Sequence, residues 1–428
     1  MKNYIDKTVY EAARERIAVA FRDFDKVLVA FSGGKDSGVM LNLCYDYARE
    51  TGQLDKLAMY HMDYEAQYKM TTDYVTDTFN AFPGIRKYWL CLPIEAQCAC
   101  RMDAATWTPW APGQRDLWVR DMPQNEHVIH EGNSPIGDVR GKTDYEVQEA
   151  FSRWHSREYG STAVMVGIRA DESLSRLGTI TSQHRKYMHK GLTYTRRVDA
   201  QTVNFYPLYD WSTQDVWVCN ARYGYAYNKL YDLFYQAGLT IDQMRVASPF
   251  NDCGIHTLKL YKVIDPKNWG RMVSRVNGVN FAGIYGGTTA MGWKSITKPK
   301  GHTWKSYCYF LLSTLAPKLR EHYERILATS IRYWCEKGGY VAEDVMPELA
   351  NMQYTELAPD PRRENLKVLQ FPAYPDTIES KSFAKLPSYK RMCVCILKND
   401  YYCKYMGFAP TKEAVEKRRA TLERYKNL

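Results

Sequence analysis

The chain has 428 residues, 45% of them hydrophobic and 25% charged, with a net charge of +10. That apolar fraction supports a large core, and the length suggests two or three domains. No apolar run reaches the ~20 residues of a bilayer span, so no membrane-spanning helix is expected. The acid-bearing N-terminal stretch reads as an amphipathic helix and not as a targeting segment, which points to a cytoplasmic protein. The positive charge permits a polyanionic partner, nucleotide or nucleic acid, without requiring one. The 11 cysteines are odd in number and dispersed, unlike a secreted disulfide framework.

In chain order, residues 8–22 predict a helix, with Val9, Ala13, Ile17 and Phe21 on one side. Residues 26–31 form a short apolar run that reads as a buried parallel strand. A glycine loop follows, then a helix over 38–51 that ends before Gly52. Strands are expected at 57–64 and 85–92. Residues 101–142 carry Trp107, Trp110, Trp118 and several Pro and Gly, and read as an irregular insertion or lid. A helix near 144–158 and strands at 162–168 and 202–206 follow. Residues 210–223 predict another helix, with Ser212 near its start. This alternation predicts a doubly wound α/β domain over about 1–250. Residues 251–428 predict a mainly helical C-terminal domain. Within it 256–345 is helical around a Gly-rich 277–292, 346–390 is extended, and 411–428 is a basic amphipathic tail.

The loop Ser32-Gly33-Gly34-Lys35-Asp36-Ser37 joins the first strand to a helix. Its glycines let backbone N–H groups approach phosphate oxygens, and the helix start adds a positive dipole end. Ser32 and Ser37 supply hydroxyls, and Lys35 supplies charge. Asp36 is a candidate helix cap or magnesium ligand. The spacing is not that of Walker A.

Two further stretches carry polar chemistry. Gly167-Ile168-Arg169-Ala170-Asp171-Glu172 runs on to Arg176, and it places forked arginine donors after a strand. Glu172 is suited to ordering an arginine or holding a metal. Pro207-Leu208-Tyr209-Asp210-Trp211 comes about thirty residues later, followed by Val216 and Trp217, which read as packing residues.

Together the three stretches resemble the S-G-G-x-D-S, G-[IL]-R-x-x-E-S-x-x-R and P-L-x-D-W-x-x-x-D-V-W motifs of the phosphoadenosine-phosphosulfate (PAPS) reductase branch. That branch belongs to the N-type ATP pyrophosphatases, within the adenine nucleotide alpha-hydrolase-like superfamily. The resemblance covers about half the chain. The remainder is similar to larger reductase-like proteins with an added C-terminal domain, some of them associated with ParB-like partners. The resemblance implies a nucleotide site built from Ser32 to Ser37, Asp63, Gly167, Arg169, Glu172 and Asp210, with His61 structural. Lys35, Asp36, Arg169 and Arg176 are the candidates for the chemistry.

Asp252-Cys253-Gly254-Ile255-His256 resembles the E-C-G-[IL]-H motif of true PAPS reductases, whose cysteine attacks sulfur, and His256 is placed to lower the thiol pKa. Here Asp252 replaces Glu and about 170 residues follow. The complete Ser-Gly-Gly-Lys-Asp-Ser loop instead suits ATP with magnesium, cleaved at the α-phosphate to AMP and pyrophosphate with activation of an acceptor. PAPS reduction through Cys253 is the first alternative. A nucleotide-sensing regulator or defence factor, acting with a ParB-like protein or with DNA through a basic surface, is the second. Cys98-x-Cys100 and Cys393-x-Cys395 with Cys403 are too short and irregular in spacing to predict a zinc or iron–sulfur site.

Overall fold

The computed structural model describes residues 6–101, 104–181, 187–255, 257–286, 296–359, 366–380, 386–398 and 400–408. His256 and the tail over 411–428 lie outside the described residues, as does 287–292 of the Gly-rich stretch. The chain forms two compact units. One comprises 1–97 with 107–277, and the other 98–106 with 278–428.

In the first unit, α1 (Val9–Asp23) opens with a capping box, in which Thr8 and Glu11 each bond the other's backbone N–H. Ala13, Ile17 and Phe21 are buried on its inner side, as the periodicity predicts. The strands β1 (Lys26–Ala30), β2 (Leu57–Met62) and β3 (Arg86–Leu90) are linked by α2 (Lys35–Glu50) and α3 (Lys69–Ala81). α2 begins inside the glycine loop, three residues before the predicted start, because Gly34 is already its N-cap. α3 was not read from the sequence. Its four threonines bear on this, because Thr is a poor helix former and blurs the apolar stripe.

The insertion supplies short strands β4 (Ala96–Gln97), β5 (Thr106–Trp107) and β6 (Val128–Ile129). Then come α4 (Asp144–Tyr159), β7 (Thr162–Val166), α5 (Leu174–Thr181), β8 (Thr195–Arg197), β9 (Thr202–Phe205), α6 (Thr213–Tyr223), α7 (Leu230–Gln236), α8 (Tyr261–Ile264) and α9 (Pro266–Arg275). The central sheet has seven strands in the order β6-β3-β2-β1-β7-β9-β8. All pairings are parallel except β8 with β9. The doubly wound sheet is therefore present, with an antiparallel edge strand at one side and a two-residue strand from the insertion at the other. Chain order reverses between β1 and β7, which is where ligands bind in such sheets.

The second unit contains α10 (Val279–Tyr285), α11 (Trp304–Ser313), α12 (Pro317–Arg332) and α13 (Tyr389–Leu397). It is mainly helical, as expected, and adds a small antiparallel sheet of β10 (Gly339–Ala342), β11 (Thr355–Leu357) and β12 (Leu366–Gln370). Gly339 is required there, since a Cβ would fall 2.1 Å from the Trp334 ring.

The compact units part at 277, whereas the sequence reading placed the domain boundary at about 250. Residues 251–277 pack with the first unit through buried polar contacts that helical periodicity does not encode. Arg275 Nε donates to Glu65 at 2.8 Å, and Asn268 Nδ2 donates to the Gln67 carbonyl at 3.1 Å. Glu65, fully buried and at φ 63°, also accepts from the backbone N–H groups of Trp110 (2.7 Å) and Val119 (2.9 Å). The tryptophan-rich insertion is thus tied down. Trp107 and Trp110 are buried within it.

Candidate functional site

The glycine-loop sequence folds on its own serines. Ser32 N–H donates to Ser37 Oγ at 3.1 Å, the two hydroxyls lie 3.0 Å apart, and Ser37 Oγ donates to the Gly34 carbonyl at 3.1 Å. Gly33 sits at φ +78°, in the left-handed region, with the Thr71 and Val75 methyls against it. The turn therefore delivers the chain directly into α2, whose first-turn N–H groups have no intrahelical partners.

Lys35 Nζ contacts Asp36 Oδ2 at 2.8 Å, and Arg169 Nε takes Asp36 Oδ1. Burial pushes the Asp36 carboxyl up, but the Lys35 and Arg169 charges outweigh it and hold the group below the ordinary carboxylate range. Asp36 is ionised at neutral pH and sits between two cations. Each of its two oxygens is engaged by one of these cations. Among the described residues no three His, Cys, Asp or Glu side chains gather to hold a metal.

The three motifs meet at this point. A Cβ on Gly167 would lie 3.1 Å from the Asp36 carbonyl oxygen, so glycine lets the end of β7 press against the first turn of α2. Arg169 is 2% exposed and also pairs with Asp171. Ala170 N–H donates to the Tyr209 carbonyl at 2.8 Å, which joins the second motif to the third. Glu172 pairs with Arg176 Nε at 3.1 Å.

Cys253 belongs to the same neighbourhood. Arg245 Nη2 donates to the Glu172 carbonyl at 2.6 Å, and its Nη1 lies 3.9 Å from Cys253 Sγ. Cys253 is at the surface, yet desolvation and then the Asp252 carboxylate push its thiol pKa up, and Arg245 only partly offsets them. At neutral pH the group is a thiol and not the thiolate a nucleophile needs.

Two predicted residues are placed differently. Asp63 is fully buried under the insertion, where its carboxylate accepts from Trp89 Nε1 (2.7 Å), the Glu65 N–H (2.8 Å) and Arg120 Nη2 (2.6 Å). It anchors the insertion and is not presented to the loop. Asp210 is held by Arg16 of α1 through two 2.7 Å contacts, so it fixes the third motif to the first helix. His61 is buried, with Nδ1 2.9 Å from the Phe31 carbonyl, the structural role expected of it.

Sequence reasoning missed Arg16, Asn228, Tyr231 and Arg245. Asn228 Nδ2 donates to the Gly33 carbonyl at 3.2 Å, and the Tyr231 hydroxyl accepts the Lys35 N–H at 3.1 Å. These are single residues without flanking glycines or a repeated spacing. Only the fold brings Asn228 and Tyr231 to the loop, about 195 positions away in the chain.

Comparison with known proteins defines the class. Residues 121–237 match the phosphoadenosine phosphosulfate reductase domain model, and residues 238–417 match a domain of unknown function, DUF3440. The chain belongs to the family that joins these two domains. It is 32% identical over 410 residues to the "Uncharacterized protein YbdN" of Escherichia coli strain K12, covering 94% of this chain and 91% of that protein. The Ser32–Ser37 loop lies upstream of the reductase match, and Cys253 falls within the DUF3440 match. Similar solved structures include the PAPS reductase of Candida auris in a phosphate complex (14% identity, 54% of this chain and 93% of that one, TM-score 0.29). Another is the U34-tRNA thiolase NcsA of Methanococcus maripaludis with its [4Fe-4S] cluster (14% identity, 70% and 87%, TM-score 0.29).

Proposed function

We propose that this nucleotide-binding family member takes magnesium-bound ATP at the Ser32–Ser37 loop and activates an acceptor by attack on the α-phosphorus. The observation that carries this reading is the convergence of Lys35 and Arg169 on Asp36 at the start of α2. Glycine backbone, a helix start and two fixed cations are what a polyphosphate requires. In the proposed step the acceptor's lone pair forms the new bond to phosphorus. The bond to the β-phosphate oxygen breaks, and pyrophosphate leaves with its electron pair. Lys35 and Arg169 stabilise the charge that develops on the phosphate oxygens. Magnesium enters on the nucleotide's own oxygens, as part of the substrate. Asp63 is left out of this set, and Asp210 acts through Arg16 as a positioning residue.

A second reading is thiol-dependent reduction of PAPS, favoured by the Arg245 contact that ties Cys253 to the Glu172 segment. The raised thiol pKa counts against it. Incubation with α-labelled ATP and magnesium separates the two. Labelled AMP, or a labelled adenylyl adduct, with pyrophosphate supports the first. Sulfite release from PAPS with a thiol donor, lost in Cys253→Ser, supports the second and overturns the first. ATP bound without turnover leaves a sensor.

A further inference from the structure

Arg169 faces two carboxylates that differ in freedom. Asp36 sits on the first turn of α2, 15% exposed, and is also held by Lys35. Asp171 stands two residues along the same loop, and its side chain is 47% exposed. Glu172, the next acid, is engaged by Arg176 and Arg245. Of the two anions on this guanidinium, Asp171 is the more exposed and the one nearer to solvent.

We propose that Asp171 is an internal counter-anion that competes with nucleotide phosphate for Arg169 and so sets the affinity of the site. This rests on the reading of the loop as a nucleotide site. The Asp171 carboxylate keeps the buried guanidinium oriented and paired through Nη1, and a phosphate oxygen supplies an alternative anion for the same donor. Exchange costs the Arg169–Asp171 pair, so a ligand succeeds only if its own negative charge repays that loss. The pair thereby lowers the affinity for every ligand that places a phosphate on Arg169, and leaves adenosine, which places none there, unaffected.

The experiment is titration of the full chain with fluorescently labelled ATP at low salt, with adenosine as competitor, for wild type, Asp171→Asn, Asp171→Ser and Arg169→Lys. Asp171→Asn and Asp171→Ser are expected to bind ATP about fivefold more tightly, the size of one partly screened ion pair. Arg169→Lys is expected to bind more weakly, and adenosine to compete no better against any variant. Melting temperatures without nucleotide confirm that each variant is folded. If wild type binds ATP in an Arg169-dependent way and neither Asp171 variant is tighter, the competition is overturned while the nucleotide site stands. If no folded variant binds ATP, the nucleotide reading fails and the competition fails with it.

Discussion

Asp36 and Arg169 are the residues on which the site turns, and each has a measurable signature. Because the Asp36 pKa is held down in the folded chain, its ion pairs stabilise the fold fully at pH values above the ordinary carboxylate range. That stability is lost as pH falls through the unfolded value near 4 toward the lower folded one. Asp36→Asn is therefore expected to flatten the acid limb of a stability-versus-pH curve measured by urea unfolding. Arg169→Ala leaves Asp36 with one cation instead of two and is expected to lower stability by about 3 kcal/mol, the low end for breaking a buried pair. Unchanged unfolding midpoints would show that these charges are not coupled as described. The loop residues were legible in the sequence because glycine and lysine at a strand–helix junction have one common physical use. Arg245 and Tyr231 were not, because a lone Arg or Tyr has many.

At the scale of elements, the site depends on β7 lying against the start of α2. Gly167→Ala puts a methyl 3.1 Å from the Asp36 carbonyl oxygen, which is backbone and cannot rotate away. The expected outcome is a loss of about 1–3 kcal/mol in stability and weaker nucleotide binding, read by calorimetry. α4 carries a second, independent signature. His155 is buried there, with Nδ1 3.0 Å from Thr162 Oγ1. Desolvation, then the Arg86 and Lys26 charges, push its pKa down to about 4. A histidine kept neutral in the fold but protonated when unfolded makes stability fall as pH drops from about 6.5 toward 4, by roughly 3 kcal/mol in all. An NMR titration placing its pKa at the ordinary value would contradict this. Strand and helix positions around the site were readable from periodicity, whereas α3 and the edge strand β8 were not. Threonine-rich helices and three-residue edge strands carry little pattern.

At the scale of the whole molecule, Arg275 decides where the first unit ends. Its partner Glu65 is fully buried. Arg275→Met is expected to cost about 3–5 kcal/mol, because it leaves that carboxylate unpaired. Adding Glu65→Gln should recover part of the loss, as a double-mutant cycle by urea unfolding would measure. Full additivity of the two changes would mean that the pair is not coupled. The sequence alone determined the doubly wound core, the glycine loop that joins β1 to α2 and the order of its three motifs. Those features are local, consisting of apolar runs of strand length, glycines at a strand–helix junction and arginines just beyond a strand. Only tertiary structure decided that Asp63 anchors the insertion, that Asp210 serves Arg16, that Asp171 sits on Arg169, and that residues 251–277 join the first unit. Each of those is a charge finding its partner after burial, and no spacing along the chain records which partner it will meet.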